Sequence, residues 1–161
     1  MSNLEEGVLF DIASRGTMDR ISWPVNADHA WLAMDRNGNG VIDDGSELFG
    51  NTRALASGAW PKHGYELLAE LDANGDGKID ASDPEFGSLR LWRDAARDGV
   101  CDSSELHSLP SVGIASISLD YRGPQRTDRW GNKVLFRSMV SALARPRIRF
   151  AYDVVPLRER R

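Results

Sequence analysis

The sequence predicts an α+β fold: helix–loop–helix pairs of the EF-hand type, followed by a small C-terminal antiparallel β-sheet. Three observations predict it. First, acids and amides recur at every second position around a glycine in Asp35-Arg-Asn-Gly-Asn-Gly40-Val-Ile-Asp43, Asp72-Ala-Asn-Gly-Asp-Gly77-Lys-Ile-Asp80 and Asp94-Ala-Ala-Arg-Asp-Gly99-Val-Cys-Asp102. Second, short apolar runs that read as helices lead into these stretches. Third, the apolar period changes to two from Ala115 onward.

An EF-hand loop presents oxygens from positions 1, 3, 5, 7, 9 and 12, with glycine at position 6 for a sharp turn. Calcium is a hard cation that takes six to eight oxygens, so this spacing suits it. The predicted donors of the first loop, 35–47, are Asp35, Asn37, Asn39, Val41, Asp43 and Glu47. Its position 12 is Ser46, so Glu47 closes a loop one residue longer than the template. In the second loop, 72–83, they are Asp72, Asn74, Asp76, Lys78, Asp80 and Asp83. In the third, 94–105, they are Asp94, Asp98, Val100, Asp102 and Glu105, with Ala96 where position 3 needs an oxygen. Val41, Lys78 and Val100 stand at position 7, which donates a backbone carbonyl. Ligand count ranks the second loop strongest, the first next and the third weakest. Two Ca2+ ions are expected, with the third loop able to take another. The alternative for each loop is a metal-free acidic turn.

An eroded fourth copy precedes these, over residues 11–22. It keeps Asp11, Gly16 and Asp19 but has Ala13 and Arg15 at ligand positions. Arg15 would put a cation in the metal's place, so no metal is expected there. The apolar position 8 residues are Met18, Ile42, Ile79 and Cys101. Paired loops would bridge Met18 with Ile42 and Ile79 with Cys101.

The connecting elements follow in order. Asp28 caps an expected helix over His29–Met34. Residues 51–61 read as a linker broken by Gly58 and Pro61. His63–Leu71 is expected to be helical, with Leu67, Leu68 and Leu71 on one face. Asp83 and Pro84 suit a helix N-cap and first turn, and that helix would run through Phe86, Leu89 and Trp92. Ser103–Leu109 is the expected exit helix, stopped by Pro110. Strands are expected from Ala115 to Tyr121, Lys133 to Val140 and Arg147 to Val155, with turns at Gly131-Asn132 and Arg145-Pro146. The predicted division is a calcium-binding module over 1–121 and a basic strand pair over 122–161 packed on it.

Charge follows that division. Residues 1–121 carry 9 basic and 21 acidic side chains, whereas 122–161 carry 11 basic and 3 acidic. The three loops hold 12 of the 24 acids, so the apo protein should repel itself unless cations intervene. No nucleic-acid recognition motif accompanies the basic half, and no nucleic-acid partner is expected. No apolar run approaches the roughly 18 residues of a membrane-spanning helix. The N-terminus lacks the basic-then-apolar form of a secretory leader. A single cysteine, Cys101, excludes an internal disulfide and is expected to be a buried hydrophobe. His29, His63 and His107 lack zinc-site spacing, and no nucleophile elbow, phosphate loop or dinucleotide fingerprint is present. Trp31 and Trp92 are expected in the core, Trp60 and Trp130 at the surface.

Several motifs in fixed order resemble a known family. They are Asn39-Gly-Val-Ile-Asp-Asp-Gly-Ser-Glu-Leu-Phe-Gly50, Lys62-His-Gly-Tyr65, Leu68-Ala-Glu-Leu-Asp72, Ser88-Leu-Arg-Leu-Trp92 and Gly113-Ile-Ala-Ser-Ile-Ser-Leu-Asp-Tyr121. Over residues 31–121 the chain resembles the self-processing module of iron-regulated RTX proteins, which are bacterial and exported. The flanks resemble secreted bacterial EF-hand proteins. The resemblance implies a calcium-folded module that cleaves an Asp-Pro bond at its N-terminal edge and can join the new aspartyl end to a lysine. This chain has one Asp-Pro, Asp83-Pro84, inside the second loop, and none before Gly7. Cutting there would destroy a calcium site, so Asp83 is read as a ligand and no enzyme activity is expected.

The expected function is therefore a calcium-binding structural module of an extracellular or cell-surface bacterial protein, itself a monomer. Its expected partners are calcium and either another protein or the rest of a larger exported chain. One alternative is a calcium-dependent docking module, because the second loop resembles a dockerin repeat. The 22-residue step from Asp72 to Asp94 is short for that arrangement. The other alternative is a calcium-activated self-processing module whose scissile bond is absent here.

Overall fold

In the computed structural model, which describes residues 1–143 and 149–159, the chain is mostly β. Eleven strands form three antiparallel sheets, with one short α-helix among the described residues. This overturns the expected α+β arrangement of EF-hand helix pairs.

The first sheet joins β1 (Val8–Phe10), β2 (Asp19–Ile21) and β11 (Arg158–Glu159) in the order β1-β2-β11. The middle sheet joins β3 (Trp31–Met34), β5 (Leu89–Trp92) and β6 (Leu106–Ser108) in the order β3-β5-β6. The third joins β4 (Lys78–Asp80), β7 (Ile114–Ser118), β9 (Lys133–Ala142) and β10 (Arg149–Val155), with β8 (Arg126–Thr127) paired to β9. Helix α1 spans Gly64–Ala69 and upholds the expected helix before the second loop, with Leu67 and Leu68 buried.

The middle sheet explains why three helices were misread. Trp31 lies opposite Trp92, Leu32 opposite Leu91 and Met34 opposite Leu89. Alternate residues of β3 and β5 enter two different cores. Leu32, Met34, Leu89 and Leu91 join Tyr65, Leu68, Ile79, Phe86, Ile114 and Ile117. Trp31, Ala33 and Trp92 join Phe10, Ile21, Trp23, Ile42 and Cys101. A strand buried on both faces is apolar throughout and loses its period of two, so it resembles a buried helix turn. Runs this short nucleate helices poorly, and cross-strand pairing wins. Thus the expected His29–Met34 helix is the strand β3 with an irregular approach. The expected helix through Phe86 and Trp92 is a 3-10 turn, Pro84–Ser88, followed by β5. The expected exit helix is the 3-10 turn Ser103–Glu105 followed by β6.

The C-terminal strands agree better. The β7 register shifts between Ile114 and Ser116, and this bulge lets both Ile114 and Ile117 reach the core. Strand β9 pairs with both β7 and β10, so β8, β9 and β10 of the 122–161 segment are built into the same sheet as β4 and β7, while β11 joins the first sheet. The Arg145-Pro146 turn and Arg147 lie outside the described residues. Trp92 and Trp23 are buried, Trp31 is partly so, and Trp60 and Trp130 are exposed, as expected for all but Trp23, which carried no expectation. In the second core the Trp23 ring lies 5.7 Å from Phe10, 5.3 Å from Trp31 and 5.2 Å from Trp92.

Asn132 is a fully buried polar hub that joins four segments. Its Oδ1 accepts from the Ser22 hydroxyl and from the Leu157 backbone N–H at 2.9 Å. Its Nδ2 donates to the Ser2 carbonyl at 3.0 Å and to Asp128 at 2.9 Å. Replacing Asn132 with Ala should strand several buried groups at once. The expected cost is about 2–4 kcal/mol, read from the shift of the denaturant midpoint at unchanged slope.

Candidate functional site

The helices around the acidic loops are gone, but the loops themselves are built alike. Positions 4 and 6 are left-handed in all four: Ser14 and Gly16, Gly38 and Gly40, Gly75 and Gly77, Arg97 and Gly99. Glycine takes this conformation freely, whereas Ser14 and Arg97 do so at a cost of order 1 kcal/mol. The position 1 carboxylate holds the curl. Asp35 accepts N–H bonds from Gly38 at 2.8 Å, Asn39 at 3.2 Å and Gly40 at 2.8 Å. Asp72 accepts from Gly75 at 2.9 Å, Asp76 at 3.2 Å and Gly77 at 3.0 Å. Asp94 accepts from Arg97, Asp98 and Gly99, and Asp11 from Arg15 and Gly16.

The closing acid makes a second repeated brace. Glu47 accepts from the backbone N–H groups of Arg36 at 2.9 Å and Asp43 at 3.0 Å. Asp83 accepts from Ala73 at 2.9 Å and Asp80 at 2.9 Å. Glu105 accepts from Ala95 at 2.8 Å and Asp102 at 3.3 Å. In each loop these are positions 2 and 9, so one carboxylate ties the loop's entrance to its exit. This supports reading Glu47 as the closing acid of a longer first loop. Asp83 heads the turn Pro84–Ser88, but its side chain makes no capping bond there because both oxygens are used in the loop.

The remaining predicted donors divide by loop. Asn37 and Asn39 both donate from Nδ2 to Asp43, at 3.2 and 2.6 Å, and their Oδ1 atoms accept from Asn39 and Val41. Asn74 Oδ1 accepts from the Asp76 N–H at 2.9 Å. The Lys78 ammonium lies 3.4 Å from Asp76 and is hydrogen-bonded to Asp80. The Asp80 hydrogen bond raises the Lys78 pKa, and the same bond lowers that of Asp80. The sequence reading counted Lys78 only as a carbonyl donor. Its place between acids two residues to either side was the available signal. Asp98 Oδ1 accepts from Val100, and Asp102 is held below the usual carboxylate range by the Ser104 N–H. Among the described residues, no three His, Cys, Asp or Glu side chains converge as a metal centre.

The loops also meet differently from the expected pairs. Ile79 pairs with Ile117 of β7, not with Cys101. Met18 is 54% exposed and does not pair with Ile42. Instead Ile42 and Cys101 share the second core, where burial raises the Cys101 pKa and the Ile42 N–H offsets this in part. The eroded loop and the first loop touch through the Gly45 N–H, which donates to the Asp11 carbonyl at 2.9 Å, and through Ser14, which donates to Asp44 at 2.8 Å. Burial opposes the Asp44 charge, but bonds from Ser46 and Ser14 outweigh it and hold its pKa down.

The SPM domain family matches residues 1–145, and the chain belongs to that family. The iron-regulated protein FrpA of Neisseria meningitidis serogroup C is 45% identical over 126 residues, which are 78% of this chain and 11% of that protein. The chain thus spans about a tenth of that relative's length. These matches uphold the resemblance to iron-regulated RTX proteins. They do not extend to EF-hand helix pairs, which the fold lacks.

Glu47 gives a test of the brace. It is 2% exposed, and burial raises its pKa despite the Asp43 and Arg36 N–H bonds. A raised carboxyl pKa means the folded state holds the proton at a pH where the unfolded chain has lost it. Its contribution to stability therefore falls as pH rises from the ordinary carboxylate value through the raised one. In chelator, wild type should lose stability relative to Glu47→Gln across that window. Thermal melts from pH 4 to pH 7 read the difference, and a gap independent of pH would contradict it.

Proposed function

We propose that this SPM domain is a calcium-stabilised structural module of an exported or cell-surface bacterial protein. Loops 35–47 and 72–83 are its two calcium sites, and loop 94–105, short of a donor at Ala96, is able to take a third. The observation that carries this reading is the double brace. The same two carboxylate positions fix the same backbone curl in three loops, each lined by hard oxygen donors of the kind calcium takes. A plain Asx-Gly turn needs the first brace but not the second. Asp35, Asp43 and Glu47, then Asp72, Asp76, Asp80 and Asp83, bring unlike numbers of charges to short loops, and a bound cation would relieve their repulsion. An extracellular setting fits, because weak oxygen sites fill at the roughly millimolar calcium found there. The family resemblance to exported RTX proteins supports the same setting.

Calcium binding to the native state alone adds about 2.7 kcal/mol per site at a hundredfold excess over Kd. Chelation should lower the melting temperature by many degrees, and magnesium should restore little because it demands compact octahedral geometry. An unchanged melt on adding chelator would refute the reading. Within the second loop, calcium must displace the Lys78 ammonium from Asp76 and Asp80. Lys78→Met should therefore tighten that site several-fold by calorimetry, and Asp72→Ala should weaken it most.

The self-processing reading has less to stand on. The Asp83 carboxylate is 3% exposed and both its oxygens accept backbone N–H bonds. A carboxyl group held this way is not free to attack its own peptide carbonyl. Intact mass after incubation in millimolar calcium should stay at that of the full chain. Fragments 1–83 and 84–161 would show Asp83-Pro84 to be scissile.

A further inference from the structure

The acidic residue at position 9 of the eroded loop is Asp19, and it is fully buried. It faces two guanidinium groups. Arg15 of the same loop lies 3.2 Å away, and Arg158 of β11 is in contact with the same oxygen, Oδ2. Asp19 Oδ1 is buried with no hydrogen-bond partner among the described residues. Arg15 is half-exposed, so Arg158 is the better shielded of the two cations.

The backbone around Arg158 is docked as firmly as its side chain. Arg158 pairs with Ile21 and Glu159 with Arg20 along β2. The Leu157 N–H donates to Ser22 Oγ at 3.0 Å and Asn132 Oδ1 at 2.9 Å, while its carbonyl accepts from the Ser22 N–H at 3.0 Å. The Leu157 side chain lies against Gly131, where an added Cβ would meet it at 3.3 Å. These contacts involve the segment 157–159, which lies beyond the 1–145 family match.

We propose that the edge of β2, with Asp19 beneath it, is a docking groove for an extended segment of apolar–Arg character, and that its occupant is this chain's own Leu157–Glu159. The tail acts as a strap that carries a built-in cation to the loop whose ligand positions 3 and 5 are Ala13 and Arg15. It ties the C-terminus to the first sheet and removes that loop from calcium control. The contrast with the other loops rests on the calcium reading above, whereas the docking of Arg158 on Asp19 does not.

The test uses the full chain with Arg158→Ala, melted in calcium and in chelator. Removing Arg158 leaves the buried Asp19 charge with only the half-exposed Arg15 to balance it, and for a chain of this size the expected fall is about 10 °C. The fall should be of equal size in both conditions, with faster hydrogen exchange at Leu157 and Ser22. No fall, or a fall confined to calcium, overturns the proposal. Should Arg158→Ala fail to fold, Asp19→Asn with Arg158→Ala removes both charges. The double variant should melt above the single one, and no recovery overturns the pairing. A wild type indifferent to chelator would refute the calcium reading while leaving the Arg158 loss in place.

Discussion

A carboxylate bonded to several backbone N–H groups is the interaction on which this fold depends. Asp11, Asp35, Asp72 and Asp94 each gather N–H groups from residues four and five further on, at Arg15 and Gly16, Asn39 and Gly40, Asp76 and Gly77, and Asp98 and Gly99. Such charge-assisted bonds are stronger than neutral ones. They fix the loop from within, so the flanking chain need not be helical. That freedom lets strands enter and leave the loops: β3 before Asp35 and β5 before Asp94, where an EF-hand would have helices. The second loop alone keeps an entry helix, α1, because Tyr65, Leu68 and Leu71 bury one face against the larger core.

The loops were legible in the sequence because their physics is local. Every bond of the position 1 brace spans three to five residues, and the left-handed glycines stand where the spacing puts them. Even the eroded copy was recognisable from Asp11, Gly16 and Asp19, and its backbone follows the other three. The strands β3 and β5 were illegible because their identity is set by a partner more than fifty residues away in sequence. Trp31 has no local reason to be extended until Trp92 lies opposite it. Conversely, β9 and β10 were legible because each is a longer run, ten and seven residues, and the two adjoin in sequence. Pairing between loops failed for the same nonlocal reason. The rule that position 8 residues bridge assumes helices that set the loops side by side, and without them Ile42 meets Cys101 while Ile79 meets Ile117.

The middle sheet links this geometry to any response to cations. It separates the two cores, with Met34 and Leu89 facing one and Ala33 and Trp92 the other. The first loop follows directly from β3 and the third from β5, so loosening either loop frays an end of the sheet that both cores share. The third loop also abuts the first sheet, since a Cβ on Gly99 would lie 2.7 Å from the Leu9 carbonyl oxygen. Loop order and core order are therefore coupled through backbone contact, not through a chain of side chains. A cation that stiffens a loop stabilises both cores together, which is the expected behaviour of a module whose fold answers to calcium.

The acids of the four loops are balanced in different ways, and the differences form a series. In the eroded loop, Arg15 and Arg158 face the buried Asp19. In the second loop, Lys78 bridges Asp76 and Asp80 at the surface, where solvent screens it and an incoming ion can replace it. In the first loop the charge of Asp43 meets the Asn37 and Asn39 amides, and among the described residues Asp35 and Asp43 form no ion pair. In the third, Ala96 withdraws a donor and Arg97 occupies a strained left-handed position. Guanidinium groups held on a buried carboxylate resist exchange, a surface ammonium yields, and amides offer no countercharge at all. By this electrostatic argument a divalent ion entering the second loop would have to trade places with an ammonium, whereas in the first and third loops it would meet acids that no ion pair among the described residues balances.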